Sequence, residues 1–241
     1  WMVFLVGSQA EIARLSGRTL FYLVLSGLST GASWLCYFRA LQLGDVNKVA
    51  PIDKSSAVLT ILLAFLLLGE PVSAPQIVGV LGIGIGTLLM ISRKETDAGG
   101  KPDGRWLLFA CLSALFASMT SIFGKIGVEG VESNLGTAIR TVVVLGMAWL
   151  MVFVTGQQKG IRRIGRRDWL FLLLSGLSTG LSWLCYYRAL QDGPASVVVP
   201  VDKLSILVTI AFSRLILHEK LSRRAAAGLA LLVLGTGAML L

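Results

Sequence analysis

Residues 25–31 read LSGLSTG, and residues 174–180 read the same seven letters. The second stretch lies 149 residues after the first, so that Ser26 pairs with Ser175, and the same register continues without a gap to the C-terminus. A repeat of this length far exceeds the roughly 20 to 50 residues of a solenoid unit. It therefore predicts two copies of one folded unit.

The composition places both copies in a membrane. Hydrophobic residues make up 55% of the chain, charged residues make up 15%, and the mean hydropathy is +0.78. The apolar runs are about 20 residues long, which is the length a helix needs to cross the hydrocarbon core. The net charge of +9 does not indicate nucleic-acid binding, because the Lys and Arg residues cluster between the apolar runs.

The apolar runs predict an all-α, multi-pass membrane helix bundle with eight full spans. After the end of a further span at 1–7, full spans are expected at 20–42, 46–68, 74–92, 106–127, 135–155, 168–190, 195–217 and 223–241. The counterparts of the spans at 106–127 and 135–155 would precede residue 1. We therefore expect two five-helix repeats, the first truncated at its N-terminus. The first repeat is 1–92, a linker is 93–105 and the second repeat is 106–241.

The basic residues predict the orientation of these spans. They crowd three loops, which the positive-inside rule places in the cytoplasm of a bacterial inner (plasma) membrane: 93–105, 157–168 and 218–224. The loop at 8–19 departs from the pattern with two arginines. Because five spans per repeat is an odd number, the two repeats are expected to be inverted. Internal inverted repeats are typical of transporters whose site lies between the copies.

Two pairs of charged residues, Asp53-Lys54 and Asp202-Lys203, mark the candidate site. Each lies about eight residues into its span, or roughly 12 Å along the helix axis. Charges at this depth cost several kcal/mol and therefore indicate function. Two arrangements would pair these charges. In one, Asp53 pairs with Lys203 and Lys54 with Asp202 across a pseudo-twofold axis. In the other, each Asp pairs with the arginine of its own copy, Arg39 or Arg188. The alternative to a substrate site is a buried charge network that fixes helix register.

Polar and aromatic residues recur beside these pairs at helical spacing. Ser56 follows Asp53 by three residues, as Ser205 follows Asp202, so each pair shares one helical face. Trp34 and Trp183 are expected to form aromatic walls of a central substrate path. The predicted substrate-binding residues are Trp34, Tyr37, Arg39, Asp53, Lys54, Ser56, Trp183, Tyr186, Arg188, Asp202, Lys203 and Ser205.

Other residues have structural interpretations. Close helix packing is predicted at the glycines of 27–31, 176–180, 79–86 and 228–235. Glu70 precedes a span and is expected to favour its N-terminus. Lys125 is expected either to snorkel outward or to line a cavity entrance. The chain shows no nucleophile–base or metal constellation, so we expect no enzyme activity, cofactor or metal.

These motifs resemble a known family. The order Arg39-Ala40-Leu41, Pro51 and LGEPVS at 68–73 is similar to the EamA-type repeat of the drug/metabolite transporter superfamily, and the second copy repeats this order. The resemblance implies two inverted five-helix repeats, a central cavity and transport of small polar metabolites by alternating access. The Asp-Lys pair is not part of the family pattern.

The predicted function is secondary transport of small polar or zwitterionic metabolites. Asp and Lys would engage an ammonium and a carboxylate, and protonation of Asp53 or Asp202 would couple transport to a proton gradient. No GxxxxGK[ST] motif for ATP is present. The expected partners are a small-molecule substrate and the lipid bilayer, with a homodimer left open. Two alternatives remain: an exporter of lipid-linked molecules or hydrophobic cations, and a non-transporting membrane subunit.

Overall fold

The computed structural model describes residues 2–44, 49, 52–53, 55–71, 73–90, 104–205, 207–208, 211 and 222–238. Every regular element in these residues is a helix, which confirms the predicted all-α class. The α-helices are α1 (Met2–Val6), α2 (Gly17–Leu43), α3 (Ser56–Leu63), α4 (Ala74–Met90), α5 (Arg105–Val128), α6 (Ser133–Val154), α7 (Arg166–Asp192), α8 (Ala195–Lys203) and α9 (Arg223–Ala238). A π-helical turn, Ala64–Leu68, continues α3.

The 149-residue repeat is visible in the local structure. A 3-10 helix at Ser8–Arg14 precedes α2, and a second one at Gln157–Arg163 precedes α7. The two helices that follow them have the same length, 27 residues. The sequence repeat therefore specifies the same succession of elements in both copies.

Four helices are long and apolar enough to cross a membrane: α2, α5, α6 and α7. Their bounds agree within a few residues with the predicted spans at 20–42, 106–127, 135–155 and 168–190. Shorter apolar helices lie at 56–68, 74–89 and 226–238, within three other predicted spans. The predicted span at 195–217 lies partly outside the described residues.

The chain divides into two compact units. Unit 1 comprises residues 1–31 and 123–193, and unit 2 comprises residues 32–122 and 194–241. Each unit therefore contains segments of both sequence copies. The packing within a unit joins residues that are far apart in the chain.

In unit 1, α2 packs against α6 at two glycines. A Cβ atom on Gly27 would lie 2.8 Å from Val143 Cβ, and one on Gly31 would lie 2.5 Å from Met147 Sδ. A methyl group on Gly27 would force the helices apart because Val143 Cβ cannot rotate away, whereas at Gly31 the flexible Met147 side chain would move aside. The GxxxG motif thus permits this approach as predicted. The motif thus determines how closely α6 lies to α2.

The same motif in α7 has a different environment. Residues 171–180 are all exposed, and no atom of another segment that the structure describes lies within 4 Å of a Cβ position on Gly176 or Gly180. The close packing predicted for these two glycines is therefore wrong for the described residues. At the 149-residue offset, the counterparts of Val143 and Met147 would precede residue 1.

In unit 2, α4 and α9 cross at glycines that belong to different copies. A Cβ atom on Gly86 would lie 2.5 Å from the carbonyl oxygen of Gly228 and 2.8 Å from the nitrogen of Leu232. A Cβ atom on Gly235 would lie 2.8 Å from the carbonyl oxygen of Gly79. The predicted packing of these glycine-rich spans is confirmed. Because the contacts are with backbone atoms, no side-chain rotation could relieve an added methyl group.

Glu70 binds the start of α8 instead of the start of α4. Its carboxylate accepts hydrogen bonds from the backbone N–H groups of Ala195 at 2.8 Å and Ser196 at 3.0 Å. A negative charge at a helix N-terminus is stabilised by the unpaired N–H groups there. At α4, Ser73 and Gln76 form a reciprocal capping pair. The predicted role of Glu70 in its own following span is therefore wrong, and the residue links the two copies within unit 2.

Lys125 binds the end of α7 in unit 1. Its Nζ donates hydrogen bonds to the carbonyl oxygens of Leu190 and Gly193, each at 2.6 Å. These carbonyl groups lack partners within the helix, and a positive charge at a helix C-terminus is favourable. This contact replaces both roles that were predicted for Lys125.

Glu132 caps the N-terminus of α6. Its carboxylate accepts hydrogen bonds from the backbone N–H groups of Asn134 at 3.1 Å and Leu135 at 3.0 Å. Burial alone would raise the pKa of Glu132. These backbone hydrogen bonds, together with one from the Ser8 side chain, outweigh that effect and lower the pKa below its ordinary value of 4.5.

Candidate functional site

A buried arginine on α6 forms a polar centre in unit 1. Arg140 lies two turns into the helix and is 0% exposed. Its Nε donates a hydrogen bond to Ser26 Oγ, and its Nη2 donates one to Thr30 Oγ1, both at 2.8 Å. The two acceptors alternate along α2 with Gly27 and Gly31. The close approach that the glycines permit therefore brings the guanidinium within reach of both hydroxyl groups.

Two aromatic rings of α7 flank the same guanidinium group. Its central carbon lies 3.9 Å from the ring centroid of Tyr187 and 5.4 Å from that of Trp183. Each such contact contributes about 0.5 to 2 kcal/mol, more when water is excluded. Tyr187 is only 2% exposed, so its ring contact is desolvated. Trp183, predicted from the sequence as an aromatic wall, thus lies against a charge that the prediction did not include.

The partners of Arg140 among the described residues leave its positive charge uncompensated. Ser26, Thr30, Trp183 and Tyr187 are uncharged, and Nη1 is buried without a hydrogen-bond partner. Removing a cation from water costs several kcal/mol unless an anion and further hydrogen bonds repay it. Hydrogen bonds from a charged group return about 1.5 to 3 kcal/mol each. The neutral partners therefore repay the cost of burying this charge only in part, and Nη1 retains unused donor capacity.

Sequence comparison between the copies did not identify Arg140. The counterpart of this position would precede residue 1, so no repeat marks it. One signal was present: Arg140 is the only charged residue in the predicted span at 135–155. A charge at such a position is a candidate functional residue by the same rule that selected Asp53.

A second polar centre, in unit 2, contains the predicted residue Asp53. Its half-buried carboxylate accepts a hydrogen bond from Ser113 Oγ at 2.9 Å. The carbonyl oxygen of Ser113 in turn accepts a hydrogen bond from Ser33 Oγ at 3.0 Å. Both serines are buried, as is the predicted residue Ser56. Ser113 was missed because it lies on α5, whose counterpart in the first copy would also precede residue 1.

The two predicted arginines bind nearby residues on their own helices. Arg39 donates a hydrogen bond from Nη1 to Gln42 Oε1 at 2.9 Å. Arg188 forms an exposed ion pair with Asp192, with 2.8 Å between Nε and Oδ2. These contacts differ from the predicted pairing of each arginine with the mid-span Asp of its own copy.

The remaining predicted site residues have varied environments. Tyr37 and Tyr186 are half-buried, whereas Trp34, Asp202 and Ser205 are exposed. Lys54 and the side chain of Lys203 lie outside the described residues. The pairing of Asp53 with Lys203, and that of Lys54 with Asp202, therefore stay predictions.

Comparisons with known proteins agree with the resemblance in the sequence. The model of the EamA-like transporter family matches residues 2–92 and 104–241. The chain is similar to a Sinorhizobium sp. protein described as an uncharacterized transporter in the cobO 3' region, with 47% identity over 130 residues, which are 54% of this chain and 92% of that protein. It is also 22% identical over 250 residues to an uncharacterized transporter of Clostridium kluyveri, covering 98% of this chain and 80% of the relative.

A solved crystal structure shares the fold. It matches 100% of this chain and 94% of its own length, with a TM-score of 0.71 and 15% sequence identity. At that identity the likeness concerns the fold alone. The family match covers nearly all of the sequence and includes both Arg140 and Asp53. The chain therefore belongs to the EamA-like transporter family and is a multi-pass membrane transporter, not an enzyme.

Proposed function

We propose that the protein is a secondary active transporter of small polar or zwitterionic metabolites, which works by alternating access and is coupled to a proton gradient. The observation that carries this proposal is the carboxylate of Asp53, which belongs to the predicted span at 46–68 and accepts a hydrogen bond from Ser113 Oγ at 2.9 Å. An ionisable group inside a membrane span is characteristic of proton and substrate pathways.

The chain of hydrogen bonds at Asp53 supports coupling to protons. An ionised carboxylate only accepts hydrogen bonds, whereas a protonated one also donates. Uptake of a proton by Asp53 would allow the Ser113 hydroxyl to reverse its role from donor to acceptor. Ser113 Oγ also lies 3.3 Å from Ser33 Oγ of α2, and either hydroxyl group can donate that hydrogen bond. A change of protonation would therefore alter polar contacts between α2 and α5.

The proposed transporter contains two inverted repeats in a bacterial inner membrane. The repeats 1–92 and 106–241 are inverted with respect to each other, and the linker 93–105 and the basic loops at 157–168 and 218–224 face the cytoplasm of a bacterial inner membrane. The concentration of Lys and Arg in these loops supports this orientation. A homodimer is the proposed alternative to a transporting monomer.

Transport by purified protein in proteoliposomes tests the proposal. Uptake of a panel of radiolabelled amino acids and related metabolites is measured with and without an imposed pH gradient. We expect gradient-driven uptake of at least one zwitterion, and we expect Asp53→Asn to abolish the acceleration by the gradient. Asp168→Asn, an exposed carboxylate at the start of α7, is the matched control. Gradient-driven uptake that survives Asp53→Asn would show that this carboxylate does not couple transport.

A further inference from the structure

The charge balance at Arg140 requires an anion that the described protein residues do not supply. The guanidinium group is fully buried, and its hydrogen-bonding and aromatic partners are all neutral. A structural arginine in a membrane span is usually paired with a carboxylate or reaches the interface. Arg140 does neither within the part of the chain that the structure describes.

The geometry identifies where an anion would bind. Of the three guanidinium nitrogens, Nε and Nη2 are held by Ser26 and Thr30, and Nη1 is buried without a partner. Nη1 carries two N–H donors, since arginine has five in a fixed planar arrangement. Stacking of the Tyr187 ring at 3.9 Å fixes the plane of the group. The free donors are therefore oriented before any ligand arrives, which reduces the entropic cost of binding.

We infer that Arg140 is the binding site for the carboxylate group of the transported molecule, which accepts hydrogen bonds from Nη1 beside the rings of Tyr187 and Trp183. This inference rests on the proposed transport function and assigns one part of its substrate. It gives Ser26 and Thr30 the role of positioning residues, which hold the guanidinium plane and do not touch the ligand. The centre is closed to solvent in this structure, and the opening step of alternating access admits the ligand.

The surroundings favour a carboxylate over a phosphate. One buried guanidinium carries one positive charge, which a carboxylate neutralises. A doubly charged phosphate would leave a net negative charge in a site whose other described members are neutral, and burial of an unpaired charge is costly. The two N–H groups of Nη1 are fixed in the guanidinium plane, an arrangement that a lysine could not reproduce.

Binding measurements with five small probes and the purified full chain test the inference. Acetate is compared with acetamide, and L-leucine with L-leucinamide, because each pair differs chiefly in whether a carboxylate is present. Inorganic phosphate is the fifth probe. Binding is followed as ligand-dependent thermal stabilisation at constant ionic strength, since a ligand that binds only the folded state raises its stability. We expect acetate and L-leucine to stabilise the protein and the two amides to have little effect.

The variants assign this selectivity to Arg140. Arg140→Gln should weaken binding of acetate and L-leucine by about 10- to 100-fold, the loss expected for hydrogen bonds to a charged group. Arg140→Lys should weaken it less, because the charge remains but the fork is lost. Arg166→Gln, an exposed arginine at the start of α7, should bind as the unchanged protein does. If Arg140→Gln does not fold, Arg140→Lys and the comparison of acids with amides in the unchanged protein still decide.

Three results would overturn the inference: no stabilisation by either carboxylate, equal stabilisation by acids and amides, or stronger stabilisation by phosphate than by acetate. These results are distinct from failure of the proposed function. Carboxylate binding without uptake into proteoliposomes would refute transport and keep the site. Uptake of L-leucinamide as fast as L-leucine would support transport and refute the carboxylate site.

Discussion

Substitution of Gly86 by alanine tests how α4 and α9 are held together. A Cβ atom at this position would lie 2.5 Å from the carbonyl oxygen of Gly228 and 2.8 Å from the backbone nitrogen of Leu232. Non-bonded heavy atoms are most favourable at about 3.5 to 4.0 Å, so the helices would have to separate by roughly 1 Å. The whole crossing would loosen, because both obstructing atoms belong to the backbone.

The expected magnitude follows from two opposing effects. Adding a methyl group to a tightly packed contact costs about 1 to 3 kcal/mol. Replacing a glycine inside a helix by alanine recovers about 0.5 to 1 kcal/mol of helix propensity. Gly84→Ala is the matched control on the same helix, since no atom of another described segment lies within 4 Å of its Cβ position. The difference between the two variants isolates the packing cost, and we expect Gly86→Ala to be less stable than Gly84→Ala by about 1 to 3 kcal/mol.

Unfolding of the purified protein in detergent micelles measures this difference. Titration with a denaturing detergent, followed by far-ultraviolet circular dichroism, gives the relative stability, and thermal unfolding should show the same order. For a chain of this size the expected separation in Tm is about 2 to 12 °C. Equal stability of the two variants, or lower stability of Gly84→Ala, would refute the close contact of backbones between α4 and α9.

Two further predictions concern unit 1. Gly27→Ala should destabilise the protein by about 1 to 3 kcal/mol, since its Cβ would lie 2.8 Å from Val143 Cβ. Gly176→Ala, at the equivalent repeat position, should be neutral or slightly stabilising. Chemical denaturation measures both variants, and equal stability of the two would contradict the difference between the copies. Because the pKa of Glu132 is lowered in the folded state, its contribution to stability is present above the unfolded pKa near 4.5 and is lost as the pH falls through the folded pKa. Glu132→Gln should therefore flatten the loss of stability that is measured between pH 7 and pH 3. An unchanged pH profile would show that this cap does not contribute.

The extent of the long helices could be predicted from local sequence. The apolar run at 135–155 predicted α6, found at Ser133–Val154, because the length of a membrane span is set by the bilayer and not by any other part of the protein. The polar centres were harder to predict. Asp53 was found because it recurs in the second copy, whereas Arg140 and Ser113 have no counterpart in the sequence and were missed.

The role of a charged residue could not be read from its position along the chain. Glu70 was expected to serve the span that follows it, but its carboxylate binds the N–H groups of Ala195 and Ser196. Lys125 likewise binds carbonyl groups of α7 that are 65 and 68 residues away in sequence. A charged side chain binds whichever unpaired helix terminus the fold brings to it.

The sequence by itself determined that this chain is an all-α membrane protein with an internal repeat, because hydropathy and repetition act on each segment independently of the rest. It also marked Asp53 as a charge inside a predicted span. The tertiary structure alone decided which polar groups meet: Arg140 reaches Ser26 and Thr30, which are 114 and 110 residues away, only because Gly27 and Gly31 let α2 and α6 approach. Among the described residues, the same seven residues on α7 have no such neighbour. Identical sequences therefore form a buried charge site in one copy and an exposed helix face in the other, since hydrogen bonds and close packing depend on the opposing helix.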